Sequence, residues 1–331
     1  MSRLLIYGAT GYTGRMVAAR ARAVDLDFMI GGRDADKLAA LAAALDVPHR
    51  RFAVEDDRAL DAALAGCDVL LNCAGPFALT AEPLMRACIA RGIHYLDITA
   101  EIGVYRLAER LGEGAARAGV MLLPGVGWDV VPTDCLAVQL AQRVAQPRSL
   151  RIALQVAGAM SRGSAVSAGE IVKAGLLARV DGALLATPAA RPALFDFGDG
   201  PVACAPLSFG DLVSAWHSTG IPNIAMFVHV PDDAFPAGDL SQLPDGPSAA
   251  ERDAYRARAV AEVTGADGSR AVALIETVNG YAYTPLAAVA AAQRVLGGEF
   301  RPGFETPARV FGAGFAETVA GTRIIDLPAP A

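Results

Sequence analysis

Seven residues near the amino end, Gly8-Ala9-Thr10-Gly11-Tyr12-Thr13-Gly14, carry the sharpest chemical signal in the chain. Three glycines at intervals of three follow the apolar run Leu4–Tyr7 and open a helical pattern. Glycine permits the tight turn and lets backbone N–H groups approach a pyrophosphate, whose charge a helix amino terminus attracts. A second signal stands 19 residues past Gly14, in Ile30-Gly31-Gly32-Arg33-Asp34. An NAD enzyme places a carboxylate there to accept from the ribose hydroxyls. This chain has Arg33, with Lys37 one helical turn further on. A guanidinium pairs with phosphate in bidentate fashion and gains little from a neutral hydroxyl. The expected cofactor is NADP(H). The competing reading of Arg33 is a solvated surface charge, and Asp34 reads as the N-cap of the next helix.

Three further segments place reactive side chains at the ends of strand candidates: Asn72–Phe77, His94–Glu101 and Pro124–Cys135. An open α/β sheet holds its ligand at those ends. Cys73, Ala74, Gly75, Pro76 and Phe77 are expected beside the cofactor. Phe77 is either a wall for the nicotinamide or its ribose, or ordinary core. Asp97 and Glu101 read either as groups that orient a proton donor such as Tyr95, or as cap and first-turn charge of the following helix. Asp129, in a glycine-flanked loop beside Trp128, is the first choice for an acidic active-site residue. Thr133 or Asp134 is expected to cap the helix that begins there. Arg162, in Ser161-Arg162-Gly163-Ser164, is a candidate for gripping a substrate carboxylate or the cofactor, and Trp128 is a second candidate substrate contact. Cys135 reads as a small buried hydrophobe, His217 as a partly exposed structural histidine, and Lys173 as a solvated charge.

One alternative chemistry is excluded by reading. Short-chain dehydrogenases use a Tyr-x-x-x-Lys pair, in which lysine lowers the tyrosine pKa for proton transfer. Tyrosines stand at 7, 12, 95, 105, 255, 281 and 283, and none has lysine four residues on.

The elements that must position these residues alternate in period. Short apolar runs at Leu4–Tyr7, Phe28–Ile30, Phe52–Val54, Val69–Cys73, Tyr95–Ile98 and Val120–Leu123 are separated by helical stripes such as Leu38, Leu41, Ala42 and Leu45. This predicts a Rossmann-type, doubly wound parallel sheet over residues 1–132. A helix is expected from Pro132 to Val144. Strand-like runs at 150–156, 202–207, 225–230 and 271–278, with helices at 164–177 and 211–218, predict an α+β second domain over 149–284 with a mainly antiparallel sheet. Residues 231–248 read as a surface loop. A helix from Pro285 to Val295 and a Gly/Pro-rich tail follow.

Composition narrows the class. The 331 residues are 53% hydrophobic and 19% charged, which builds a large core and excludes a mainly disordered chain. No stretch approaches the ~18 uninterrupted apolar residues of a membrane helix. The net charge of −6 without a basic block argues against nucleic acid as a partner. Five cysteines in no ligand spacing argue against a disulfide framework or a structural metal. With no leader pattern at the amino end, a cytoplasmic protein is expected.

Together, the segments GATGYTG, GGRDADKL, NCAGPF, HYLDITAE and PGVGWDVVPTDC closely resemble the saccharopine-dehydrogenase-like oxidoreductase family, which includes the trans-acting enoyl reductases. The resemblance extends downstream to Ser161–Ser164, Ser218–Asn223 and Thr306–Ala308. It implies an NADP-binding Rossmann domain, an α+β catalytic domain, a carboxyl-terminal segment (285–331) that returns to the first domain, and a homodimer. It also implies reduction of an activated C=C or C=N bond in a small or lipid-derived metabolite. The alternative is a non-catalytic redox sensor that holds NADP(H).

Overall fold

In the computed structural model, residues 3–156, 158–230 and 245–328 are described. The first sheet has seven strands, all parallel. They are β1 (Leu4–Tyr7), β2 (Phe28–Gly32), β3 (His49–Arg51), β4 (Val69–Asn72), β5 (His94–Asp97), β6 (Met121–Leu123) and the late β15 (Gly303–Phe304). Helices α1 (Tyr12–Ala23), α2 (Ala35–Leu45), α3 (Asp57–Ala63), α4 (Phe77–Arg91) and α5 (Ile102–Arg117) carry the chain between them. Spatial order is β15-β6-β5-β4-β1-β2-β3. The chain therefore reverses direction of travel between β1 and β4, and the crevice at that switch point is where such a sheet binds dinucleotides.

Helix α6 (Val131–Ala141) leads into a nine-stranded sheet. It contains β7 (Pro147–Gln155), β8 (Leu177–Val180), β9 (Ala183–Ala186), β10 (Ala193–Asp196), β11 (Pro201–Pro206), β12 (Asn223–His229), β13 (Arg256–Gly265), β14 (Arg270–Val278) and β16 (Arg323–Leu327). Only β12 and β7 pair in parallel; the other pairs are antiparallel. Helices α7 (Arg162–Lys173), α8 (Asp211–Thr219), α9 (Ala249–Ala254), α10 (Gly280–Leu296) and α11 (Pro307–Phe311) complete the fold. One buried cluster runs from Leu5 of the first sheet to Ile152 of the second, so the two sheets share a core. A smaller cluster around Phe195, Phe227 and Leu274 covers the far face of the second sheet.

The α/β plus α+β architecture is the one expected, with local differences. The third strand is His49–Arg51 rather than Phe52–Val54. Phe52 and Val54 are buried plugs at the sheet edge, with Phe52 4.7 Å from the ring of Tyr7. Strand β13 was not foreseen, because its Arg256-Ala257-Arg258-Ala259 start reads as polar, yet it is the central antiparallel partner of β7 and β14. Helix α10 begins five residues before Pro285, capped by the Asn279 side chain, which accepts from Tyr281 N at 3.0 Å. Pro285 is the sixth residue of the helix, past the free N–H groups of the first turn, and it forgoes the one intrahelical bond its N–H would have made. Of the expected 231–248 loop, residues 231–244 lie outside the described residues.

Candidate active site

Gly8, with φ of 77°, turns the chain off β1. A Cβ there would lie 2.7 Å from the backbone N of Ala74, and one on Gly14 would collide with the Gly8 carbonyl. The loops after β1 and β4 are thus in backbone contact. Tyr12 and Thr13 open α1 behind Gly11, whose N-cap position offers no side chain to the first N–H groups. Thr10 and Thr13 are half-buried on the same loop. Close backbone approach and unclaimed helix-terminal donors fit a pyrophosphate.

Arg33 follows β2 and is exposed. Its carbonyl accepts from Arg51 Nε at 3.1 Å, and no hydrogen bond or ion pair among the described residues engages its guanidinium. Asp34 caps α2 as expected, accepting from Lys37 N at 3.1 Å, and the Lys37 ammonium lies 3.5 Å from its other oxygen. Those contacts hold the Asp34 carboxyl below the usual carboxylate range. Asp34 is committed to its helix and Lys37 is paired with it, which leaves the exposed Arg33 at the carboxyl end of β2 as the guanidinium suited to a 2′-phosphate. The residues fit NADP(H).

At the other end, Cys73 N donates to Tyr7 O at 2.8 Å and Ala74 N to Asn72 Oδ1 at 2.9 Å. Gly75-Pro76 leads into Phe77, which is buried at the start of α4. Glu101, although the N-cap residue of α5, does not cap that helix. Its carboxylate instead accepts from Phe77 N at 2.9 Å and Ala78 N at 2.7 Å, closing the amino end of α4, and also accepts from Ser167 Oγ at 2.8 Å. One carboxylate therefore joins the cofactor shelf to α7 of the second domain.

Tyr95 and Asp97 do meet: the phenol donates to Asp97 Oδ2 at 2.8 Å. Both are fully buried. Asp97 also accepts from Thr99 N at 3.0 Å and Gly125 N at 2.9 Å, while Asn72 Nδ2 reaches Tyr95 Oη at 3.2 Å. Burial pushes the Asp97 carboxyl up to about 7. These groups bind one another, Asp97 orienting the Tyr95 phenol, and hold three strand-end loops in register. Trp128 is buried as well. Its indole N–H donates to Thr277 Oγ1 at 2.9 Å and its ring rests on Gly280, so it is a buried strut. Thr133 and Asp134 do not cap α6, whose N-cap is Val130. They lie inside the helix, fully buried: Thr133 donates to Asp211 at 2.5 Å, and Asp134 accepts from Ser218 and from Ala308 N.

Asp129 is different. It sits half-buried in the loop after β6, and no donor among the described residues reaches its carboxylate. Burial alone raises its pKa to about 6; burial also raises that of Tyr281, with a lesser part from the Asp129 charge. Tyr281 was not anticipated. Its hydroxyl accepts from Ser161 N at 2.7 Å and donates to Ser164 Oγ at 2.9 Å, and its ring meets Tyr12 edge-on at 5.3 Å. The signal that could have found this wall is Ser161-x-x-Ser164-x-x-Ser167, three hydroxyls on one helical face beginning at the α7 cap. Arg162 lies beside it and pairs with Asp245. His217, its pKa pushed down to about 4 chiefly by burial, bonds the Phe304 carbonyl and is structural. Cys135 is buried, and Lys173 pairs with Glu170 on the surface.

Beside the glycine loop, Glu101 and Ser167 meet at Gly75, where a Cβ would lie 3.2 Å from Ser167 Oγ, and the amino end of the same α7 holds Tyr281 against Tyr12. Residues 4–123 match the family described as the saccharopine dehydrogenase NADP binding domain. A human saccharopine dehydrogenase-like oxidoreductase is 29% identical over 151 residues, covering 40% of this chain and 35% of its own. A trans-acting enoyl reductase of Mycobacterium leprae is 29% identical over 154 residues, 44% of this chain and 37% of its own. The aligned stretch thus spans little more than a third of either relative. The apo saccharopine dehydrogenase (L-Glu forming) of Saccharomyces cerevisiae superposes over 99% of this chain and 100% of its own, with a TM-score of 0.68 at 15% identity, a likeness of fold. Residues 4–123 thus match a saccharopine dehydrogenase NADP-binding domain, and over its amino-terminal part the chain is similar to saccharopine-dehydrogenase-like oxidoreductases and trans-acting enoyl reductases.

Proposed function

We propose that the protein is an NADP(H)-dependent reductase of an activated C=C or C=N bond in a small or lipid-derived metabolite. The observation that carries this reading is Asp129, a half-buried carboxylate in the loop after β6 that no hydrogen-bond donor among the described residues reaches. NADPH, when bound, supplies a hydride to one end of the double bond. Asp129 gives a proton to the other end; a pKa of about 6 suits an acid working near neutrality. Tyr281, its hydroxyl held by Ser161 N and Ser164 Oγ, forms a fixed aromatic wall against Tyr12 of the glycine loop. Glu101 holds the Gly75–Phe77 shelf still, and Ser167 ties that shelf to the second domain.

The test is NADPH oxidation by purified protein on a panel of enoyl thioesters, imines and carbonyl compounds. Turnover is expected, with Asp129→Asn lowering kcat by about 10²–10⁴ at little change in KM. A folded protein that binds NADPH and turns over nothing on the panel would instead be the redox sensor. A homodimer joined through the second sheet and a cytoplasmic location belong to the same proposal. No helix among the described residues is long and apolar enough to cross a membrane.

A further inference from the structure

Residues 245–252 lie across the glycine loop, and their contacts have a common centre. Gly246 packs on the Tyr12 ring so closely that a Cβ would stand 2.8 Å from its carbons. The Tyr12 hydroxyl donates to the Pro247 carbonyl, which also accepts from Arg252 Nη1 at 2.9 Å, and Arg252 reaches the Tyr12 hydroxyl at 2.7 Å. The Asp245 carboxylate lies between two arginines. Arg15 of α1 reaches one oxygen at 3.1 Å, and Arg162 of α7 reaches the other. Arg15 also donates to the Thr10 carbonyl at 3.0 Å, which keeps its guanidinium against the glycine loop. Two twelve-residue helices from different domains thus each send a first-turn arginine to one carboxylate. Helix termini and guanidinium groups both attract anions.

The geometry points to a two-domain phosphate clamp: we propose that Arg15 and Arg162 bind the dinucleotide pyrophosphate, and that Asp245 is an internal anion competing for the same two side chains. This rests on the NADP(H) reading of the crevice. Binding of the cofactor exchanges Asp245 for a phosphoryl group and loosens residues 245–252 from Tyr12. The pairs are about half exposed, so each contributes modestly.

The experiment is a fluorescence titration of the full chain with NADPH and, separately, NADH, which lacks the 2′-phosphate. Asp245→Asn should tighten both dinucleotides by about two- to fivefold, and Arg162→Gln should loosen both by a similar factor. Inorganic pyrophosphate should displace NADH from Asp245→Asn more readily than from the parent protein. If Asp245→Asn leaves both affinities unchanged or weakens them while its melting temperature stays near the parent's, Asp245 is a structural clip and the clamp is overturned. If Asp245→Asn loses its fold, Arg162→Gln decides: unchanged NADH affinity in that variant overturns the clamp, and loosened affinity supports it. An effect confined to NADPH would move the anion to the 2′-phosphate and also overturn the proposal. Failure of the parent protein to bind either dinucleotide would be a failure of the NADP(H) reading, distinct from all of these.

Discussion

Asp211 holds an unusual position for a carboxylate. It is fully buried, accepts from Thr133 through one oxygen, and its Oδ2 has no hydrogen-bond partner. Burial, reinforced by the charges of Asp134 and Asp129, pushes its pKa up to about 8 from 3.8. The folded state therefore keeps a proton that the unfolded chain gives up above about pH 4. Its contribution to stability is complete below pH 3.8 and is lost as pH rises to about 8, at no more than about 1.4 kcal/mol per pH unit. Urea unfolding between pH 5 and 8 should show stability falling with pH, and Asp211→Asn should flatten that slope. A parent slope of the opposite sign that the substitution leaves untouched would sink this assignment. Asp129, with a pKa of about 6, predicts a kinetic counterpart. Turnover should decline as pH rises past 6, and the decline should be absent from the residual rate of Asp129→Asn. At this scale the sequence was most legible where a residue's conformation depends on its own loop: the turn at Gly8 and the helix cap at Asp34. It was least legible where a role depends on a distant partner. Tyr281 and Ser161 are 120 residues apart in the chain, and nothing local to either announces the other.

Elements position these residues through a few shared contacts. Glu101 stands at the start of α5 yet serves the start of α4, because β4 and β5 are neighbours and bring their following loops together. Glu101→Ala would leave two N–H groups at the α4 start, one of them buried, without their acceptor. The expected loss is about 1–3 kcal/mol, with weaker NADPH binding because the Gly75–Phe77 shelf loosens. Denaturant titration paired with cofactor titration checks both parts; full stability with unchanged affinity would contradict the role assigned to the carboxylate. The parallel sheet was readable because its strands are continuous apolar runs separated by helical stripes. Strand β13 and the early start of α10 were not. The first alternates arginine with alanine and is recognisable as a strand only once β7 and β14 flank it. The second is set by Asn279, a cap that Pro285 masks as the apparent helix start.

Across the whole molecule, the carboxyl-terminal segment stitches the two sheets together. After α10, β15 extends the first sheet beside β6 and β16 edges the second beside β14. Asp134 fastens this path by accepting from Ala308 N and Ser218. The crevice walls thus come from both domains and are joined at Glu101–Ser167 and at Arg15–Asp245–Arg162, so cofactor and substrate binding should be felt across the interface. The proposed dimer would carry a molar mass twice the chain's 34.1 kDa in light scattering at micromolar concentration; a monomer mass would contradict it. The account depends most on the crevice being an NADPH site read by Arg33. Titration with NADPH and NADH, followed by reduced-nicotinamide fluorescence in the parent protein and in Arg33→Ala, tests this directly. The account predicts a preference for NADPH that Arg33→Ala removes, by weakening NADPH about ten- to hundredfold while leaving NADH alone. Equal binding of both dinucleotides by the parent protein would contradict it and make Arg33 a surface charge.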